Sequence, residues 1–166
     1  MLSTKSLSLI DVELAKYPAE GKRSAVMGAL RIAQVELQET GTTPETRRLT
    51  EDAIEFVANY IGIAPVAAYE VATFYNMYNV HPVGKYKITV CTNLPCALQG
   101  GVNAAEYVAK KLGVEIGQTT DDGLFTLLEG ECMGACGDAP VMLLNNHKMC
   151  SFMQPEAIDK LLAECK

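Results

Sequence analysis

Apolar residues recur at helical spacing through the first half of this chain. Val26, Ala29, Leu30, Ala33 and Leu37 fall on one face of a helix that Gly41 stops, and a shorter helical pattern around Leu7 to Tyr17 precedes it. Thr50 stands where an N-cap belongs, and Leu49 and Ile54 are placed for a hydrophobic staple. Ala53, Ile54, Val57, Ala58 and Ile61 then share a face, and Gly62 ends that helix. Pro65 suits the first turn of a fourth helix, whose stripe of Ala67, Val71, Phe74, Tyr75 and Tyr78 is expected to pack in a core.

At His81-Pro82-Val83-Gly84 the period changes. Lys85 to Val90 alternates, with Tyr86, Ile88 and Val90 on one face, which predicts a half-buried strand running into Cys91. A helix is expected from Gly101 to Leu112, closed by Gly113. Asp121-Asp122-Gly123 reads as turn chemistry rather than acid–base machinery, and a strand from Leu124 to Leu128 follows it. Val141 to Leu144 and His147 to Phe152 are expected to form a hairpin through Asn145-Asn146, and Pro155 opens a last helix bearing Ile158, Leu161 and Leu162. The order β, α, β, β, β, α after residue 80 fits a small mixed sheet flanked by helices, so two domains are expected, 1–80 and 81–166.

Composition narrows the class. The 166 residues are 49% hydrophobic and 20% charged, with a net charge of −6, which describes an ordinary globular chain and argues against a nucleic-acid surface. The apolar runs fall short of the roughly 20 residues a membrane-spanning helix needs, so no direct membrane insertion is expected. Met1 to Leu7 lacks the apolar core of a signal peptide and the arginines of a transit peptide, which makes a reducing cytoplasm the expected compartment.

All six cysteines come after residue 90, and four form two short-spaced pairs: Cys91-x₄-Cys96, a gap of 35 residues, then Cys132-x₃-Cys136. Paired thiolates at this spacing suit a [2Fe–2S] cluster, with a structural Cys₄ zinc site as the main rival and disulfides or inert thiols behind it. The second loop carries Gly130, Gly134 and Gly137, which permit unusual backbone angles and close approach to bridging sulfides. Both loops lack Lys and Arg, whereas Glu129, Glu131 and Asp138 flank the second pair. No C-x-x-C exists, which excludes a thioredoxin-type dithiol; His81 and His147 stand in no paired motif and read as surface or turn residues, which argues against a Rieske centre. Cys150 and Cys165 fall on apolar patterns and read as small core side chains. Gly100-Gly101 alone is weak as a phosphate loop, so no nucleotide is expected to bind this chain itself.

Several segments together resemble a known family. Ala72-Thr73-Phe74-Tyr75, His81-Pro82-Val83-Gly84, Cys91-Thr92-Asn93-Leu94-Pro95-Cys96 before Gly100-Gly101, and Cys132-Met133-Gly134-Ala135-Cys136-Gly137-Asp138-Ala139-Pro140 are similar to the small 24 kDa iron–sulfur subunits of NADH:quinone oxidoreductase, respiratory complex I. The resemblance spans nearly the whole chain. It implies an α+β protein with an N-terminal helical bundle that docks a partner, followed by a thioredoxin-like [2Fe–2S] ferredoxin domain. It implies one [2Fe–2S] cluster on Cys91, Cys96, Cys132 and Cys136 and no catalytic residue of the chain's own. The implied partners are the flavoprotein subunit that binds FMN and NADH and other peripheral-arm subunits, the whole lying on the cytoplasmic side of the inner membrane. The short N-terminus looks bacterial rather than like a mitochondrial precursor. NAD-linked hydrogenases and formate dehydrogenases carry related modules, and the zinc-binding interaction module stays open beside them.

Overall fold

The computed structural model describes residues 2–165. The chain divides into two compact units at the Pro82–Val83 bond, and each has its own core.

The first unit is helical. Helix α1 spans Thr4–Leu14, α2 Val26–Thr40, α3 Glu51–Ile61 and α4 Pro65–Phe74, with a 3₁₀ stretch, Ala19–Ala25, between the first two. Ser3 caps α1 by accepting from the Ser6 N–H, and its own N–H and hydroxyl donate to Glu36 on α2, which pins the start of one helix to the side of the next. Thr50 caps α3 as its sequence predicts, accepting from Ala53 N–H at 3.2 Å. Ile10, Leu30, Leu49, Ile54 and Val57 are fully buried between these helices.

The expected stripe on α4 is only partly a core stripe. Ala68 and Ala72 are buried, but Phe74 is 79% exposed and Tyr75 is exposed as well. The physical reason is that the helix stops at Phe74 and Tyr75 already has an extended backbone (φ −96°, ψ 122°), so helical spacing no longer says where the next aromatics point. Tyr78 does enter the core, through a turn in which its N–H donates to Tyr75 O. Its hydroxyl donates to Met27 O at 2.9 Å, and burial pushes its pKa up to about 12.

The second unit is a four-stranded sheet in the order β2-β1-β3-β4, with β1 at Tyr86–Cys91, β2 at Phe125–Gly130, β3 at Met142–Leu144 and β4 at Lys148–Cys150. Strands β1 and β2 are parallel, and the other two pairings are antiparallel. Asn145 and Asn146, both at positive φ, make the hairpin turn between β3 and β4. Helices α6 (Gly101–Leu112) and α7 (Pro155–Glu164) pack with the sheet, burying Ile88, Val90, Leu127 and Met142 against Ala105, Val108, Ile158 and Leu161. The α+β expectation therefore holds, with one addition: a short helix, α5 (Leu94–Leu98), that apolar periodicity does not announce.

Strand β1 is not half-buried as its alternation suggests. It lies between β2 and β3, and Lys87, on the face opposite Ile88 and Val90, is only 2% exposed. A lysine stem is long enough to be counted as polar in sequence while covering apolar surface. Among the described residues no helix is long and apolar enough to cross a membrane.

Candidate metal centre

Parallel pairing decides where the cysteines meet. β1 and β2 run in register from Tyr86 beside Phe125 to Cys91 beside Gly130, so the loops that leave both strands emerge at the same end of the sheet. Carboxyl ends of neighbouring parallel strands are where open sheets commonly place their ligands. Here one loop brings Cys91 and Cys96, and the other brings Cys132 and Cys136 two and six residues after Gly130.

The first pair is sheltered. Cys91 ends the central strand, its N–H donating to Val141 O at 3.1 Å. Cys96 lies inside α5, and both residues are about 1% exposed, packed with Val141 and edged by Met133, Ala135 and Ala139. The second pair is exposed, with the two sulfurs 3.6 Å apart. Two thiolates on one tetrahedral metal, with bonds of about 2.3 Å, must sit about 3.8 Å apart, so this pair already has nearly the spacing of ligands to a single ion. Cys91 and Cys96 share one buried cluster with Val141. The thiols thus come as one buried pair and one exposed pair on neighbouring loops, which suits the two-plus-two donor set of a binuclear cluster; among the described residues no group of three or more His, Cys, Asp or Glu is placed to hold a single ion. The residues present fit a [2Fe–2S] group.

Two of the four thiols, Cys96 and Cys136, resist ionisation. Burial pushes the Cys96 thiol up, the neighbouring Cys91 and Cys136 sulfurs push the same way, and a hydrogen bond from the Val141 backbone pulls against them. Cys136 is raised first by its hydrogen bond with Cys132 and then by burial. To hold a metal, Cys96 and Cys136 would have to give up these protons, so metal binding would be favoured by rising pH.

Two local features hold this geometry, and neither stands out in the sequence. Gly101, the first residue of α6, passes so close to the cysteine loop that a Cβ there would lie 2.7 Å from Cys91 O and 2.9 Å from Cys96 O. Gly101 is therefore a packing device for the ligand loop, whereas Gly100 has open space where a Cβ would stand. In addition, Asn93 Nδ2 donates to Glu131 and so bridges the two loops, and Thr92 Oγ1 donates to Glu129 at the end of β2. Asn93 precedes α5, where a capping side chain is expected, yet it does not cap; its amide is used across the site. Of the three loop glycines, Gly134 alone sits at positive φ (75°), Gly130 avoids a contact with Thr89 Cγ2, and Gly137 is unconstrained.

The remaining candidates lie elsewhere. Cys150 and Cys165 are buried in the sheet–helix core with Met142, Ile158 and Leu161, and burial pushes both thiols up. His81 and His147 are exposed. Asp122 builds the turn before β2, accepting from Leu124 N–H at 2.9 Å and from the Thr120 hydroxyl.

The chain as a whole is similar to known proteins. The E-type subunit of NADH-quinone oxidoreductase from Rickettsia conorii is 46% identical over 142 residues, covering 86% of this chain and 80% of that one. The mitochondrial NADH dehydrogenase [ubiquinone] flavoprotein 2 of Dictyostelium discoideum is 41% identical over 141 residues, covering 84% of this chain and 54% of that one. A solved structure of an NAD⁺-reducing [NiFe]-hydrogenase superposes with a TM-score of 0.69 over 84% of this chain at 18% identity, a likeness of fold in which this chain spans 22% of the hydrogenase chain. The family model for thioredoxin-like [2Fe-2S] ferredoxin matches residues 10–166, a span that contains all four paired cysteines, and the chain belongs to that family.

Proposed function

We propose that this chain is the electron-transfer subunit of an NADH:quinone oxidoreductase, with one [2Fe–2S] cluster held by Cys91 and Cys96 on one iron and by Cys132 and Cys136 on the other. The observation that carries this is the placing of two thiol pairs on the loops that leave the carboxyl ends of β1 and β2, in a chain 46% identical to a relative named as part of an NADH-quinone oxidoreductase. A bound cluster supplies one-electron chemistry and nothing else. The chain's own residues supply the rest: Cys91, Cys96 and Val141 form a dry inner wall, while the exposed Cys132 and Cys136 loop is the edge through which an electron crosses to a neighbour. Binding of NADH and the two-electron step belong to a partner flavoprotein carrying FMN, and the chain works within the peripheral arm on the cytoplasmic side of the inner membrane. Such a chain is part of an oxidoreductase without a catalytic residue of its own.

The hydrogenase likeness is one of fold, whereas the relatives above 40% identity are named for quinone and ubiquinone reduction, which favours the quinone enzyme. Reconstitution tests the division of labour. NADH should bleach the visible absorption of the loaded chain only after the purified flavoprotein is added; rapid bleaching of the isolated, flavin-free chain would overturn it.

A further inference from the structure

We propose, on the strength of the [2Fe–2S] assignment above, that Thr92, Asn93, Glu129 and Glu131 form a clasp that positions the two ligand loops, and that its carboxylates hold the centre at a lower potential than an uncharged clasp would. The parallel ladder ends at Cys91 and Gly130, and the next backbone bond, Thr92 N–H to Gly130 O, is already stretched to 3.5 Å. Beyond that point, among the described residues, the backbone of the Thr92 to Cys96 segment makes no hydrogen bond to the backbone of the Glu131 to Cys136 segment. A side-chain bond joins them there, Asn93 to Glu131, while Thr92 to Glu129 ties the first segment back to the end of β2. Both bonds lie within three residues of a ligand at either end: Thr92 and Asn93 follow Cys91, Glu131 directly precedes Cys132, and Glu129 stands two residues before Glu131.

Both acceptors are carboxylates, where a neutral amide would close the same bridge. A charge-assisted bond is shorter and stronger than a neutral one, which suits a clasp exposed to water. It also has an electrostatic consequence. An oxidised cluster on four thiolates is already anionic, and gaining an electron beside fixed negative charge is disfavoured. No Lys or Arg occurs in the sequence between Lys87 and Lys110 or between Lys111 and Lys148 to offset it locally. Geometry and potential are thus set by the same four side chains, and the two effects separate by mutation because the donors carry no charge and the acceptors do.

The test uses the full-length, cluster-loaded chain. Glu131→Gln keeps an acceptor oxygen for Asn93 but removes the charge, so its midpoint in an EPR-monitored titration should rise while iron loss to a chelator stays near the wild-type rate. Asn93→Asp keeps the shape but removes the donor and sets two carboxylates face to face. It should lose iron at least about fivefold faster, the factor carried by one hydrogen bond, with no rise in midpoint. Thr92→Val should act in the same direction as Asn93→Asp. An unchanged midpoint in Glu131→Gln overturns the electrostatic half, and wild-type iron loss in both Asn93→Asp and Thr92→Val overturns the clasp. A wild-type chain holding no iron or sulfide would instead overturn the cluster assignment itself, so the two failures are distinct.

Discussion

Replacing Gly101 by alanine should damage the metal centre out of proportion to its effect on the fold. Taken as a helix residue alone, Gly101 is a poor choice, and alanine would gain about 0.5–1 kcal/mol. The added Cβ, however, would meet Cys91 O at 2.7 Å, Cys96 O at 2.9 Å and Cys96 C at 3.0 Å, several tenths of an ångström inside ordinary contact. These are backbone atoms of two proposed ligand residues, so no side chain can simply swing aside. Overpacking of this kind costs about 1–3 kcal/mol, leaving a net loss of about 1 kcal/mol and a displaced cysteine loop. Gly100 supplies the control. It sits at φ 92° with no atom within 4 Å of its would-be Cβ. Alanine there should cost about 1–2 kcal/mol through backbone strain without pushing on either cysteine. Urea unfolding of the metal-free proteins measures the fold, and visible circular dichroism with chelator challenge of the loaded proteins measures the centre. Gly101→Ala should change the visible spectrum and hasten iron loss, whereas Gly100→Ala should lower stability with a wild-type spectrum. Wild-type spectrum and iron retention in Gly101→Ala would refute the packing role assigned to it.

Changing Cys91, Cys96, Cys132 or Cys136 to serine should remove the cluster or alter its spectrum, because a hydroxyl is a poorer donor to iron than a thiolate. Cys150→Ser and Cys165→Ser should leave the EPR signal intact and cost about 1–3 kcal/mol in urea unfolding, since each buries a hydroxyl in the apolar core. Burial lowers the pKa of Lys87 from the ordinary 10.5 to about 8. Between those values the folded chain has released a proton that the unfolded chain keeps, so this group's contribution makes stability rise with pH across that window and level off on either side. Lys87→Met should therefore stabilise at pH 7 by at most about 3 kcal/mol, less whatever the lysine's own contacts contribute, with the gain fading by about pH 10.5 in denaturant titrations. Phe74→Ala should shift the thermal midpoint little, because the ring is 79% exposed, whereas Tyr78→Phe should cost about 1 kcal/mol by removing the hydroxyl's bond to Met27 O.

Periodicity and punctuation made most of this architecture legible. Thr50 and Gly62 bracket α3, Asn145-Asn146 turn the hairpin, and the ligand strand ends at Cys91. Periodicity fails where the regular element stops: Phe74 and Tyr75 continue an apolar stripe in sequence, but the helix ends between them. It also fails at Lys87, where a charged letter marks an exposed face on an edge strand and a buried stem on a central one, and strand order is not written in the local pattern. Cysteine spacing pointed to the four thiols because paired ligands must be close along the chain. The devices that hold them are tertiary. Gly101 matters only because α6 starts against Cys91 and Cys96, and Asn93 finds Glu131 across 38 residues because β1 and β2 end side by side. A Thr-Asn after one cysteine and alternating glutamates before the other were the available signal, meaningful only once parallel pairing is known.

Every functional assignment above depends on one binuclear iron–sulfur cluster bound by two pairs of thiolates. Anaerobic purification of the full chain, with iron, sulfide and zinc analysis on the same sample as an EPR spectrum before and after dithionite, probes that cluster without intermediaries. About two irons and two sulfides per chain are expected, together with a spin-½ signal that appears on reduction. Stoichiometric zinc, with no visible absorption and no signal, would contradict the assignment.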